Sequence, residues 1–199
     1  MEYNAFSAGI DPGGLRNTKE IGILICYILE KAGKPVSELD LMEIIQSNGM
    51  ANYFEAASAI TELLYNGNIV YADEGKKEMT VSSNGKMISR QLHDELPLTI
   101  RQKAVAATVG LLQRQKTEQE NPVTITKLES GGYNINLKIQ DGIRDLMSLD
   151  IFVPDRREAD RIRKNFHQAP EKLYSVILAS ALGDNVMIHN AMKEYLDER

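Results

Sequence analysis

The fold is decided by residues 52–92, which read NYFEAASAITELLYNGNIVYADEGKKEMTVSSNGKMISRQL. Asn52 can cap a helix whose third residue is Glu55, an arrangement known as a capping box. The apolar residues that follow at helical spacing are Ala56, Ile60, Leu63 and Leu64. Because glycine readily adopts the left-handed conformation that closes a helix, this helix is predicted to end at Asn66-Gly67.

A β-hairpin with a charged tip is predicted directly after this helix. Residues 68–72 and 78–81 are rich in strand-forming side chains, and the turn between them is Asp73-Glu74-Gly75-Lys76-Lys77. The run Ser82-Ser83-Asn84-Gly85 then begins another helix, which continues to Leu92. A helix, a charged hairpin and a further helix in this order are typical of a winged helix.

Two more helices are predicted upstream of this stretch. Asn17 caps a helix over Thr18–Ala32, and Ser37 caps a second helix. The turn Ser47-Asn48-Gly49 then leads into the third helix, so that the second and third helices form a helix-turn-helix. Residues 1–16 contain the turn-forming run Asp11-Pro12-Gly13-Gly14 and are predicted to be an N-terminal arm.

Two runs in this half resemble bacterial winged-helix regulators of the MarR and PadR type. They are LLYNGNIV at residues 63–70 and MTVSSNGKMI at residues 79–88. In those families a leucine-rich helix end is followed by a glycine, an apolar strand, the wing and a Thr/Ser–x–x–Gly helix start. The resemblance covers about residues 17–95 and implies a winged helix-turn-helix domain there.

A second resemblance spans the whole chain. The runs PGGLR at residues 12–16, ILICY at residues 23–27 and NYFE at residues 52–55 look like an uncharacterised bacterial family. That family carries only a domain-of-unknown-function label. The likeness therefore supplies little about activity.

The MarR and PadR resemblance implies a DNA-binding role for the third helix. In such regulators this helix enters the major groove, while the wing approaches the phosphate backbone. The residues that it places on the exposed face are Asn52, Tyr53, Glu55, Ser58 and Glu62, and the basic residues nearby are Lys76, Lys77, Lys86 and Arg90. Asparagine can pair with adenine and glutamate can accept from cytosine. Affinity would come largely from the four cations, because they neutralise phosphates.

The charge distribution opposes the simplest form of this hypothesis. The formal net charge of the chain is −5. Residues 1–95 hold 8 basic and 14 acidic residues, whereas residues 96–199 hold 15 basic and 14 acidic residues. A nucleic-acid-binding half would normally be the basic one. Since the third helix has no lysine or arginine, a protein partner on the same face stays an open alternative.

Composition predicts a cytoplasmic protein without enzyme chemistry. No run of about 18 apolar residues is present to span a membrane, and Met1-Glu2-Tyr3-Asn4 does not begin a signal peptide. The single cysteine, Cys26, suits a reducing compartment. The three histidines are far apart in the sequence, and the aspartates between residues 141 and 160 do not have EF-hand spacing. We therefore predict no catalytic residue, no metal site and no cofactor.

A long connecting helix is predicted within residues 96–120, running from about Thr99 to Glu118. Its apolar side would consist of Ile100, Ala104, Val105, Val109 and Leu112. Ala106, Ala107 and Gly110 are small enough for another helix to approach, which makes this helix the leading candidate for the interface of a homodimer. The same stripe would serve equally well to link and pack two domains.

Residues 121–199 predict a C-terminal domain with a three-stranded antiparallel sheet. Residues 123–128 and 133–139 alternate in polarity around Ser130-Gly131-Gly132, as expected for a hairpin, and residues 145–153 alternate in the same way. Helices that begin after Asp155 and at Pro170 are predicted to cover one face of the sheet. The second of them would be mostly buried through Leu173, Val176, Ile177, Leu178, Ala181 and Leu182.

The complete prediction is an α+β fold with a winged helix-turn-helix at residues 17–95, a long connecting helix and a C-terminal antiparallel sheet covered by helices. The predicted function is a cytoplasmic transcriptional regulator, a homodimer that binds double-stranded DNA. A small-molecule or protein effector would bind the C-terminal domain, and no membrane partner is expected. The alternative is a winged helix that docks a protein and binds no DNA.

Overall fold

A computed structural model of the protein describes residues 14–75 and 77–196. Within these residues the chain is a mixed α+β structure with eight α-helices and two three-stranded antiparallel sheets. Two compact units divide it, Met1–Gln113 and Arg114–Arg199, and each is described by itself. The predicted arm, residues 1–16, lies outside the described residues except for its last three.

The N-terminal unit contains the first four helices, the first three strands and most of a fifth helix. They are α1 (Thr18–Ala32), β1 (Val36–Ser37), α2 (Glu38–Ser47), α3 (Tyr53–Tyr65), β2 (Ile69–Tyr71), β3 (Glu78–Val81), α4 (Ser83–Leu92) and α5 (Leu98–Glu120). A short 3-10 helix, His93–Glu95, follows α4.

The predicted helix starts are confirmed by side-chain caps. The amide of Lys19 donates to Asn17 Oδ1 at 2.9 Å, and the amide of Asp40 donates to Ser37 Oγ at 3.1 Å. The hydroxyl of Ser37 in turn donates to the Asp40 carboxylate at 2.8 Å. Each cap satisfies one of the amides that have no partner within a helix, which is why these residue types begin the helices.

Helix α1 is the centre of the N-terminal core. The predicted stripe Ile21, Leu24, Ile25, Ile28 and Leu29 is buried, and Ile23 and Cys26 outside that stripe are buried as well. The helix packs against α3, α4 and β3, so that it is covered on nearly all sides. Burial of each large aliphatic side chain contributes roughly 1.5–3 kcal/mol, which makes α1 the main source of stability in this unit.

The predicted hairpin of β2 and β3 is present, and a third strand joins it. Ile69 pairs with Val81 and Tyr71 pairs with Met79, while β1 pairs with the other edge of β3 through Val36 and Met79. The order in the sheet is therefore β1-β3-β2. Strand β1 was not predicted, because two residues are too few to show an alternating pattern.

Helix α5 has 23 residues and is roughly 35 Å long at 1.5 Å per residue. Its buried side consists of Ile100, Ala104, Thr108 and Leu111. Val109, which was predicted to lie on the apolar side, is exposed instead. No helix in the described ranges is both long and apolar enough to cross a membrane.

The C-terminal unit contains a sheet and three further helices. They are β4 (Val123–Lys127), β5 (Tyr133–Gln140), β6 (Asp145–Val153), α6 (Arg156–Gln168), α7 (Pro170–Leu182) and α8 (Asn185–Leu196). The sheet order β4-β5-β6 is antiparallel throughout, as the alternation of the sequence predicts. Ile135, Leu137 and Ile139 form its inner face, on which Phe166 of α6 packs.

The prediction that α7 is mostly buried is wrong. In this helix Pro170 and Ala179 are buried, whereas Leu178 and Leu182 are exposed. The part of α7 that packs on the sheet core is its start, at Leu173 and Tyr174. Within the described residues α7 otherwise packs mainly against α8, which has no buried side chain of its own. A hydrophobic helix sequence therefore does not ensure burial within the same unit.

Candidate nucleic-acid interface

Helix α3 presents an open face to solvent. It packs against α1, α2 and β2, and its buried residues are Ala56, Ala59, Ile60 and Leu63. Of the residues predicted to contact DNA, Tyr53, Ser58 and Glu62 are exposed and Glu55 is half-buried. The open face of α3 carries two carboxylates and, as the sequence already states, no lysine or arginine.

Asn52 does not belong to this open face. The sequence places it among the exposed residues, but the side chain is only 6% exposed. Its Oδ1 accepts a hydrogen bond from the amide of Glu55 at 2.8 Å. A capping side chain folds back over the first turn of its helix, so Asn52 fixes the start of α3 and is not available to read a base.

Exposed aromatic side chains were missed by the sequence analysis. Phe54 is 76% exposed and Tyr65 is 91% exposed. Tyr53 and Phe54 form an edge-to-face pair with ring centroids 5.6 Å apart. Their exposure could have been predicted from the sequence, because neither Phe54 nor Tyr65 falls on the apolar stripe of α3. Together they give the open face an aromatic character that its polar residues alone do not suggest.

The turn between β2 and β3 is organised by Asp73. Its Oδ1 accepts from the amides of Glu78 and Lys77 at 2.9 and 3.0 Å. These backbone hydrogen bonds, that from Glu78 first, hold the pKa of the Asp73 carboxyl below its usual range. Lys77 is exposed, and Lys76 lies outside the described residues. The turn is therefore a preformed loop that projects Lys77 into solvent.

The two predicted cations on α4 lie in a different place from α3. Lys86 and Arg90 line a cleft between the C-terminal end of α1, strand β3 and α4, and none of the residues that line it belongs to α3. We call this the α1–α4 cleft. Ile88 and Leu92 of α4 instead line a separate concavity together with residues of α1 and α3. The predicted site residues thus fall on three surfaces: the α3 face, the turn and the α1–α4 cleft.

Arg90 already has an acidic partner. Its Nε lies 2.7 Å from Glu30 Oε1. Burial tends to raise the pKa of Glu30, but hydrogen bonds from Ser89 and Arg90 and the charges of Arg90 and Lys31 outweigh it and hold the pKa below the usual range. Glu30 was not predicted as a site residue, since 60 residues separate it from Arg90 and no local pattern joins them.

Cys26 lies in the hydrophobic core of the N-terminal unit. Burial, together with the nearby charge of Glu30, raises the pKa of its thiol to about 12. A thiol with such a pKa is a poor nucleophile near neutral pH. In the part of the chain that the structure describes, no group of three or more His, Cys, Asp or Glu side chains is arranged to hold a metal ion.

The C-terminal unit has one notable concavity among its described residues. It has a volume of about 200 Å³ and is lined mainly by apolar residues of the sheet and helices, among them Leu137, Phe166 and Tyr195. This volume is below the usual range of small-molecule sites, about 300–1,000 Å³. The pocket is therefore small compared with typical effector sites.

Comparison with known proteins identifies a family without an assigned activity. Residues 21–181 match the sequence model described as "Domain of unknown function (DUF4364)". None of the curated proteins and none of the solved structures matches the chain significantly.

Proposed function

Because the chain belongs to the DUF4364 family, whose description assigns no function, we propose a function from the chain's own surfaces. The N-terminal unit is a winged helix-turn-helix that binds double-stranded DNA, and the protein is a homodimeric transcriptional regulator. Membership of a family of unknown function agrees with the second resemblance noted in the sequence. The likeness to MarR and PadR regulators remains a prediction.

The observation that carries this proposal is the order of elements around α3. Helix, strand, helix, helix, strand, turn and strand follow one another from α1 to β3, and the sheet order is β1-β3-β2. This arrangement leaves α3 with an open face and holds a preformed turn on the adjacent hairpin. An α-helix with an open face fits the major groove of DNA, which is about 12 Å wide.

The proposed DNA contacts lie on two surfaces, the open face of α3 and the turn, which differ in charge. On α3, Tyr53, Ser58 and Glu62 are exposed and would contact base edges or backbone. The turn would neutralise phosphate through Lys76 and Lys77. Each lysine that contacts a phosphate releases about one counterion and makes affinity depend on salt. Lys86 and Arg90 belong to the α1–α4 cleft, so the proposed DNA-contacting surface consists of α3 and the turn.

The double variant Lys76→Ala/Lys77→Ala tests the role of the turn. We expect weaker binding at every DNA sequence and a slope of log K against log salt that is smaller by about 4, because the homodimer loses two phosphate contacts from each subunit. Fluorescence anisotropy at several salt concentrations gives both quantities. The matched control is Lys127→Ala, which removes an exposed lysine of β4 and should leave affinity unchanged.

The proposal itself is tested by selection of genomic fragments with the purified protein at about 50 and 200 mM salt. Enrichment of a shared sequence that persists at the higher salt supports a regulator. Recovery that matches the input pool at both salts would refute DNA binding as the function of α3.

A second candidate function is favoured by the aromatic face of α3. Tyr53, Phe54 and Tyr65 are exposed on a helix with no cation, and Leu39 on α2 is exposed as well. Aromatic residues are enriched and charged residues are depleted in the centres of protein interfaces. The alternative is therefore a winged helix that docks a protein. Failure of the fragment selection, with the aromatic face still intact in the folded protein, would favour this alternative.

The proposed homodimer is best supported at the hairpin of α7 and α8. Leu182 is 63% exposed and Val186 is 69% exposed, and further exposed apolar residues on the two helices are Leu178, Met187, Met192 and Leu196. Leu178 and Leu182 lie one turn apart on α7, so they form one apolar stripe that a second copy of the chain would bury. We propose this hairpin as the dimer interface in place of the α5 surface suggested by the sequence.

The variant Leu182→Glu tests this interface. A buried charge without a partner is costly, so we expect a shift from dimer to monomer in light scattering. The matched variant Val109→Glu places the same charge on the exposed face of α5 and should leave the dimer intact. A dimer that survives Leu182→Glu but is lost with Val109→Glu would assign the interface to α5.

A further inference from the structure

We propose that the α1–α4 cleft binds a small phosphate-bearing molecule. The cleft has a volume of about 530 Å³, which is within the usual range of small-molecule sites and larger than a phosphate ion needs. The ligand class that fits is thus a phosphomonoester with an organic part. This proposal does not rest on DNA binding, because the cleft is a separate concavity from the open face of α3.

The cleft is positive on a protein that is negative overall. Lys31, Lys86 and Arg90 line it, and Glu30 is the one carboxylate among its lining residues. The chain as a whole has a formal net charge of −5. A concave surface that gathers cations in this way focuses the electrostatic potential and raises the local concentration of anions. The partner that this charge pattern selects is a small anion.

Arg90 has donors available for such an anion while it pairs with Glu30. Its Nε makes the 2.7 Å ion pair with Glu30, whose carboxylate also accepts a hydrogen bond from the buried Ser89. Among the described residues, no hydrogen bond is made to the two terminal amino groups of the guanidinium. The Arg90 side chain is 71% exposed, and the two parallel donors of its terminal amino groups match the oxygens of a phosphate. Glu30 is a positioning residue here, because it orients Arg90 and does not repel the ligand as an unpaired charge would.

Tyr27 and His93 form an aromatic wall of the cleft. The rings of Tyr27 and His93 stack with centroids 6.0 Å apart and planes inclined by 12°, and Lys31 Nζ lies 5.2 Å from the Tyr27 centroid. His93 Nδ1 lies 3.1 Å from the carbonyl oxygens of Ser89 and Arg90, so Nδ1 carries the proton and donates. Nε2 faces the Asp94 carboxylate, whose Oδ1 lies 3.7 Å away. The wall suits the organic part of a phosphomonoester.

The test is calorimetric titration of the full-length protein with inorganic phosphate and with adenosine monophosphate, against chloride at equal ionic strength. We expect saturable binding of both phosphates and about a tenfold loss of affinity in Lys86→Gln, since a charge-assisted contact of this size is removed. Arg90→Gln should lose at least as much. The matched control Lys127→Gln removes an exposed lysine of β4, outside the cleft, and should bind as the unchanged protein does.

Three results would overturn the proposal. The first is no saturable heat with either phosphate at millimolar concentration. The second is equal affinity in Lys86→Gln and Lys127→Gln, which would indicate general attraction to a charged surface. The third is a DNA duplex that displaces phosphate from the unchanged protein and itself loses affinity with Lys86→Gln, because the cations would then belong to a DNA-backbone surface. Lys86→Gln keeps the test decisive if Arg90→Gln leaves Glu30 unpaired and disturbs folding.

Discussion

Gly85→Ala should destabilise the N-terminal unit by about 3 kcal/mol. Gly85 is buried in the first turn of α4. A methyl group there would lie 2.7 Å from Val81 Cγ2 and closer still to the carbonyl oxygen of Asn68. That oxygen cannot retreat easily, because it accepts from the amide of Ser82 at 3.0 Å and from the Ser82 hydroxyl at 2.9 Å. The methyl group therefore forces α4 away from the hairpin.

Urea unfolding followed by far-UV circular dichroism measures this loss as a lower midpoint. The matched control is Gly110→Ala in the exposed middle of α5, where an added methyl group meets nothing within 4 Å. Alanine is a better helix former than glycine by roughly 0.5–1 kcal/mol, so the control should raise the midpoint. Equal midpoints for Gly85→Ala and the unchanged protein would show that α4 moves without cost.

Gly132→Ala should destabilise the C-terminal unit by about 3 kcal/mol. Gly132 has a φ of +79°, a conformation that disfavours any residue with a Cβ. A methyl group would also lie 2.6 Å from the Phe152 ring and 2.9 Å from the carbonyl oxygen of Val153. The Phe152 ring is exposed and can turn away, but Val153 is fixed by its pairing with Tyr133.

Substitution of the neighbouring Gly131 separates the cost of backbone strain from the cost of the contacts with Phe152 and Val153. Its φ is +92°, and an added methyl group there meets nothing within 4 Å. Gly131→Ala should therefore cost only the backbone strain, about 1–2 kcal/mol. Hydrogen exchange of the amides in β5 and β6 reports the stability of this sheet for both variants. If the two substitutions cost the same, the contacts with Phe152 and Val153 are unimportant.

Much of the fold could be predicted from local chemistry. Capping residues such as Ser37 and Asn17 act within one turn, and alternation along β5 and β6 repeats every second residue, so a short stretch of sequence contains the whole signal. Features that depend on distant contacts could not be predicted in this way. Strand β1 exists because Val36 meets Met79, and α7 is exposed because few residues of its unit cover it.

In the candidate site, too, features that depend on local sequence could be predicted, and features that depend on distant contacts could not. The open face of α3 follows from its apolar stripe, which leaves Tyr53, Ser58 and Glu62 outside it. The burial of Asn52 could not be predicted, because its polarity predicts exposure although its side chain caps α3 and is buried. Lys86 and Arg90 were predicted as site residues, but no pattern in the sequence indicates the α1–α4 cleft that they line. It depends on Glu30 and Arg90 meeting across 60 residues, a tertiary contact that periodicity does not reveal.

The all-round burial of α1 has a consequence for biosynthesis. Ribosomes release this strongly apolar helix, Thr18–Ala32, before any of the segments that enclose it. The last of these, α4, ends 60 residues after α1 does, which at 5–20 residues per second is a delay of roughly 3–12 s. During that interval the nascent chain exposes the apolar side chains of α1. Chaperone capture and aggregation would therefore compete at this stage more than at any later one.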